Sequence, residues 1–286
     1  MKTIDEQVFD GIRKTINRFR EKPFHYFTEA DIHSSLLNDI MKGGSDVLSV
    51  RKNNISISLI HQEYPTHFRY KKEQLLEGYK GIEDKTTIDK KYGDRGNYDL
   101  SILDPVFVNK MFADKKDPQN KKNKKYNLLP LKHIINKDIE FTRGHKNDNE
   151  LLYAIEVKFL HIFNAGNSDM LKEVIKDNEK LRLTHIHTNG NTKCINLVFC
   201  SAKGYDRRVA DEKEKDSVPA RIKEYMKGEN QIKLYNSKKV VPKPDDQILN
   251  IFIESYLDDE KKKTIKPTTN LNKANSKWTK GLIKLL

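Results

Sequence analysis

The sequence predicts an α/β protein with a mixed central β-sheet flanked by helices. Three observations carry that expectation. Two amphipathic helices open the chain, several β-rich segments follow, and residues 151–200 read as strand, helix, strand, the pattern of a crossover that joins a parallel pair. With 286 residues the chain can bury a sizeable core, and a hydrophobic fraction of 36% keeps it in the globular class.

The first helix, over 3–20, rests on Ile4, Val8, Phe9, Ile12, Ile16 and Phe19 at helical spacing. The second, over 28–41, has Thr28 and Asp31 as a capping pair, a stripe of Ile32, Leu36, Leu37, Ile40 and Met41, and Gly43-Gly44 as its stop. Strands are expected over 47–50 and 55–63; in the second, alternation sets Ile55, Ile57, Leu59, His61 and Glu63 on one face, and Pro65 ends it. Residues 66–92 read as helical around FRYKKEQLLEGY, and YDLSIL, over 98–103, is a short strand that carries an acid, Asp99.

Residues 109–149 are polar and lysine-rich around a small apolar island at 128–135, which marks an insertion. A strand follows over 151–160, then a helix over 168–181. KCINLVFC, over 193–200, is apolar enough for a strand buried on both faces. Beyond 201 the signal thins to a helix from Ser217 and Pro219 to Met226 and further elements over 232–235 and 248–256. The expected organisation is one domain over 1–257 and a basic tail over 258–286, read as a linker ending in an apolar patch around Trp278, Leu282, Ile283 and Leu286.

The net charge of +13 is unevenly placed. KKDPQNKKNKK, over 115–125, holds six lysines and one aspartate, and residues 261–286 hold eight lysines and no acid; the two segments account for the whole excess. A balanced body with two lysine-rich appendages suits a polyanion, although solvated loops give the same composition. Lys115, Lys116, Lys121, Lys122, Lys124 and Lys125 are the candidate contacts to a nucleic-acid backbone. No GxxxxGK[ST] sequence is present, which argues against an ATP motor. Cys194 and Cys200 read as reduced, buried thiols, and neither an apolar leader nor a run of about 20 apolar residues is found, so the expectation is a cytoplasmic protein with no membrane partner. An amphipathic anchor in the tail is a weaker reading. His185 and His187, in LTHIHTNGN, alternate as strand-end residues do and are read as ordinary polar positions rather than a metal pair.

The run LLYAIEVKFL sets Glu156 and Lys158 on one face of an apolar strand. An acid two residues before a lysine occurs seven times in the chain, and this is the one inside an apolar strand, where an unpaired charge costs several kcal/mol. A carboxylate and a lysine so placed let an amine stand beside a metal that the carboxylate binds. A hard cation needs further oxygen ligands, and Asp99, in GNYDLSIL, is the first candidate. Glu63, in HQEYP, is the next, ahead of Glu29 and Asp31, whose positions at a helix start also fit simple capping. Asp177 and Lys180, one helical turn apart, are read as a local pair.

In this order, HQEYP, GNYDL, AIEVK, KDNEKL and NLVF resemble the PD-(D/E)XK nuclease superfamily and its restriction-endonuclease-like core over roughly residues 24–200, with Tyr98 where that pattern has proline. The resemblance implies Mg²⁺-dependent hydrolysis of phosphodiesters, with Mn²⁺ able to substitute. Asp99, Glu156, the Val157 carbonyl and Glu63 would ligate the ion, and Lys158 would hold or help deprotonate the attacking water. It implies a nucleic-acid partner, with DNA favoured, and a homodimer if both strands of a duplex are cut. A nucleic-acid-binding protein that reuses the fold without catalysis is the alternative.

Overall fold

Helix α1 (Ile4–Glu21) begins at Thr3, whose hydroxyl accepts from the Glu6 N–H while the Glu6 carboxylate accepts from the Thr3 N–H. Its buried stripe contains Val8, Phe9, Ile12, Ile16 and Phe19, as the spacing predicts. Helix α2 (Glu29–Met41) opens on the same reciprocal cap, made by Thr28 and Asp31. The two helices meet at Gly11, where an added Cβ would stand 2.4 Å from Ile40 Cγ1 and 2.7 Å from Ile40 Cα. The computed structural model describes residues 2–43, 47–52, 55–70, 94–113, 150–161, 169–201, 217–228, 232–233, 240–241, 247–258, 261–264 and 267–270.

A hairpin of β1 (Ser49–Lys52) and β2 (Ile55–Ser58) leads into β3 (Ile60–Tyr70), β4 (Asp94–Leu103), α3 (Pro105–Ala113) and β5 (Leu151–Leu160). Then come α4 (Asp169–His187), β6 (Lys193–Cys200), α5 (Val218–Lys227) and a short antiparallel pair, β7 (Ile232–Lys233) and β8 (Val240–Val241). Strands β9 (Leu249–Asp258), β10 (Lys261–Thr264) and β11 (Thr268–Thr269) close the described chain.

The central sheet runs β10-β9-β6-β5-β4-β3, with β11 also on β9. Pairs β5–β6 and β6–β9 are parallel and the others antiparallel, so the sheet is mixed and α4 is the crossover between β5 and β6. Helices cover both faces. On one, Phe19 of α1 meets Phe159 and Phe199 edge to face. On the other, Leu171, Val174 and Ile222 of α4 and α5 pack with Leu160, Val198 and Phe252. Both cysteines are buried and neither forms a disulfide.

Several local expectations are corrected. Pro65 does not end a strand: it lies inside β3, paired with Asn97, because β3 is the outermost strand on that side and its missing N–H removes no ladder bond. Residues 66–70 are therefore strand rather than helix, and 71–93 lie outside the described residues. The strand expected over 55–63 breaks at buried Leu59. Its N–H donates to Leu48 O at 2.8 Å while its carbonyl accepts from Leu103 N at 2.7 Å, so this residue hands the chain from hairpin to sheet. His185 and His187 lie in the last turns of α4, which outruns its expected end at 181. Past 258 the chain is not simply a linker, since β10 and β11 both pair with β9.

The six lysines named between 115 and 125, the apolar island and the tail patch lie outside the described residues. Among the described residues no helix is long and apolar enough to cross a membrane.

Candidate active site

Strands β4 and β5 pair from Leu103↔Leu151 to Leu100↔Ile155, and then they part. Beyond that point β4 stays with β3 and β5 stays with β6. The next pair along the register would be Asp99 with Glu156, so the fork opens at these two acids. A fork leaves β5 N–H groups without a neighbouring strand, and a buried unpaired N–H costs about as much as a lost hydrogen bond. Carboxylates take their place. Asp99 Oδ2 accepts from the Val157 N–H at 2.7 Å, and Glu29 Oε2, from the first turn of α2, accepts from the Phe159 N–H at 3.2 Å.

Glu156 and Lys158 point to the other face, under α4. Lys158 Nζ stands 3.1 Å from Glu29 Oε1 and 3.4 Å from Asp177 Oδ2. Glu156 forms an ion pair with Lys180 of α4, whose ammonium also donates to the Asn97 carbonyl at 2.8 Å and lies 3.8 Å from Asp177 Oδ1. Helix α4 is held in this position by the Tyr98 hydroxyl, which bonds the Thr184 hydroxyl, and by Asn178, which bonds Asn250 of β9. Asn196, the register partner of Glu156 on β6, is fully buried, and its amide has no hydrogen-bond partner among the described residues. On the α2 side, His33 Nε2 lies 3.5 Å from Asp99 Oδ2 and 4.0 Å from Glu29 Oε1.

The electrostatics follow from burial. Glu156 is 1% exposed, and desolvation pushes its carboxyl well above the usual range, aided by Asp177 and Asp99 and opposed by Lys180. Desolvation likewise raises Asp177 and Glu29, against the pull of nearby lysines. For Lys158 burial acts downward, but Asp177, Glu29, Asp99 and Glu156 together outweigh it and raise its pKa. The carboxyl groups of Asp99, Glu156, Glu29 and Asp177 thus crowd around the ammonium groups of Lys158 and Lys180, and a further cation among them would favour their charged forms.

Asp99, Glu156 and Lys158 lie near enough for their charges to act on one another, and they are linked through Glu29, Asp177 and Lys180. Val157 contributes its N–H to Asp99. Glu63 stands between the pairs Gln62↔Leu100 and Tyr64↔Tyr98, opposite Asp99 across β3 and β4, but it is exposed and its backbone is left-handed at φ 48°. Glu29, rather than Glu63, is the acid that bonds β5 and Lys158. Asp31 is occupied as a cap, accepting from the Phe27 and Thr28 N–H groups. Sequence reasoning reduces Asp177 and Lys180 to a local helix pair and does not single out His33. The available signals are a lysine and an acid on the buried side of the crossover helix, and a histidine four residues after an acid at a helix start.

The donor set fits a divalent cation: several carboxyl oxygens converging where two strands separate. Comparison with protein-family models, with curated proteins and with solved structures returns no match for this chain.

Proposed function

We propose that the chain is a divalent-metal-dependent nuclease that hydrolyses phosphodiester bonds, with DNA as the favoured substrate. The observation that supports this reading is the meeting of Asp99, Glu156, Lys158 and Glu29 at the fork between β4 and β5. Mg²⁺, or Mn²⁺ in its place, would be held by Asp99 and Glu156 with Glu29 or the Val157 carbonyl, and when bound supplies a water of lowered pKa and positive charge beside the phosphate.

The chain's own groups have separable tasks. Asp99 and Glu29 are fixed by β5 N–H groups, which orients their remaining lone pairs without further ordering. Lys158, whose ammonium stands between Glu29 and Asp177, would orient water and meet negative charge developing on the phosphate. The lysines of 115–125 and the tail would gather the phosphate backbone without reading sequence.

A cleavage assay on circular, linear, single-stranded and branched DNA and on RNA, with Mg²⁺, Mn²⁺ or EDTA, tests the reading. Metal-dependent cutting should fall at least about 100-fold in both Asp99→Ala and Lys158→Ala. The preferred substrate then separates a restriction role from repair or recombination, and cutting of both strands points to a dimer. The ion pair between Lys180 and Glu156 favours a second reading, a non-catalytic nucleic-acid-binding protein in which a lysine permanently occupies the carboxylate. Binding without cutting under every condition would establish that alternative.

A further inference from the structure

The His33 side chain is 16% exposed, and its Nε2 is buried with no hydrogen-bond partner among the described residues. A buried ring nitrogen normally donates or accepts, because leaving it bare costs about 1–3 kcal/mol. This one is directed at two carboxylates rather than at a carbonyl or hydroxyl. Glu29 and His33 lie four residues apart on one face of α2, and Asp99 approaches from β4. One ligand atom from each of the three lies within 4.8 Å of the others, the one such His/Cys/Asp/Glu group among the described residues. Ligands at about 2.1 Å from a common ion sit roughly 3 Å apart when adjacent and 4.2 Å when opposite, so a small contraction of the 3.5 and 4.0 Å separations would close this set around one ion.

We infer that His33 is a metal ligand, and that with Glu29 and Asp99 it makes this a site for a first-row transition-metal ion in preference to Mg²⁺. The chemistry is that of the donor atoms. Mg²⁺ takes oxygen ligands and gives up its waters reluctantly, whereas an imidazole nitrogen adds affinity for Mn²⁺, Co²⁺ and their neighbours. The second helix thereby supplies two of these three ligands, and its register against β5 is kept by the bond between Glu29 and the Phe159 N–H. Both carboxylates keep free lone pairs after their backbone bonds, since each oxygen accepts more than one donor. The inference rests on the metal-dependent reading of the same site, but it concerns binding and is measured without turnover.

The first measurement is pulsed electron paramagnetic resonance on the wild-type chain loaded with Mn²⁺. A modulation from one coordinated imidazole nitrogen is expected, and its absence overturns the proposal whatever any variant does. Calorimetric titration with Mn²⁺, Co²⁺ and Mg²⁺ is the second. Mn²⁺ should bind at least about 10-fold more tightly than Mg²⁺, and His33→Ala should reduce the Mn²⁺ and Co²⁺ affinities by about 10- to 100-fold while changing Mg²⁺ far less. His33→Gln, which keeps a polar side chain on the helix, should show the same loss and lack the nitrogen signal. Equal Mn²⁺ affinity in wild type and both variants would make His33 a partner of Asp99 only. A protein that shows the nitrogen signal yet cuts no nucleic acid retains the ligand assignment and loses the nuclease reading; one that cuts without the signal does the reverse.

Discussion

Lys180 of α4 is paired with Glu156 of β5, so the buried carboxylate beneath that helix already has a cation from the chain itself beside it. The pair joins helix to sheet, and it sets the metal-free state of the site. Any incoming cation that uses Glu156 must compete with the Lys180 ammonium, which has the Asn97 carbonyl and Asp177 as its other partners.

Lys180→Met tests that competition. Removing the ammonium leaves a buried carboxylate without its counter-ion, so the metal-free protein should lose about 3–5 kcal/mol in denaturant unfolding. The affinity for an added divalent cation, measured by calorimetry, should rise by roughly 10-fold. A variant with unchanged stability and unchanged affinity would mean that the ion pair carries no weight in either state.

Removal of metal should be visible as stability. The carboxyl groups of Asp99, Glu156, Glu29 and Asp177 are brought together only in the folded state, so a divalent cation favours that state, and saturation at 100 times the dissociation constant stabilises by about 2.7 kcal/mol. The thermal midpoint should therefore rise with Mn²⁺ or Mg²⁺ and fall back with EDTA. In Asp99→Asn and Glu156→Gln the shift should shrink or vanish; an equal shift in both variants would place the binding elsewhere.

Gly11→Ala should destabilise the pairing of α1 with α2. The new methyl would meet Ile40 Cα at 2.7 Å, and because that neighbour is backbone the helices must separate. A loss of about 1–3 kcal/mol is expected from such overpacking, read as a lower denaturant midpoint at constant slope. Since α2 carries Glu29 and His33, the metal affinity should drop with it.

The lysine-rich segment predicts a salt effect. Replacing Lys115, Lys116, Lys121, Lys122, Lys124 and Lys125 by glutamine should weaken DNA binding by a similar factor across unrelated sequences. The slope of log K against log salt should become shallower by about 0.9 for each duplex phosphate that these lysines no longer neutralise. An unchanged slope would assign these lysines to solvent and leave the tail as the remaining basic segment.

Much of the fold is legible because its signals are local. The capping pairs at Thr3 and Thr28, the stripe of α1 and the apolar runs of β5 and β6 follow from interactions within a few residues. The parallel crossover through α4 follows from their order. Pro65 misleads because tolerance of proline depends on being at a sheet edge, which no local window contains.

For the site, alternation along LLYAIEVKFL already places Glu156 and Lys158 on one face of an apolar strand, and Asp99 visibly interrupts another. A buried charge in an apolar run demands a partner, and that demand is readable without a structure. Which partner answers it was decided by the tertiary structure alone. Lys158 and Glu29 are 129 residues apart in sequence, and they meet because β4 leaves β5 after Ile155 and exposes N–H groups that Asp99 and Glu29 satisfy. Glu63, which lies opposite Asp99 across β3 and β4, is exposed, while Lys180 and His33 enter through the packing of two helices on opposite faces of the sheet. Periodicity encodes the face a residue takes; the fork, a property of how three strands pair, selects which faces converge.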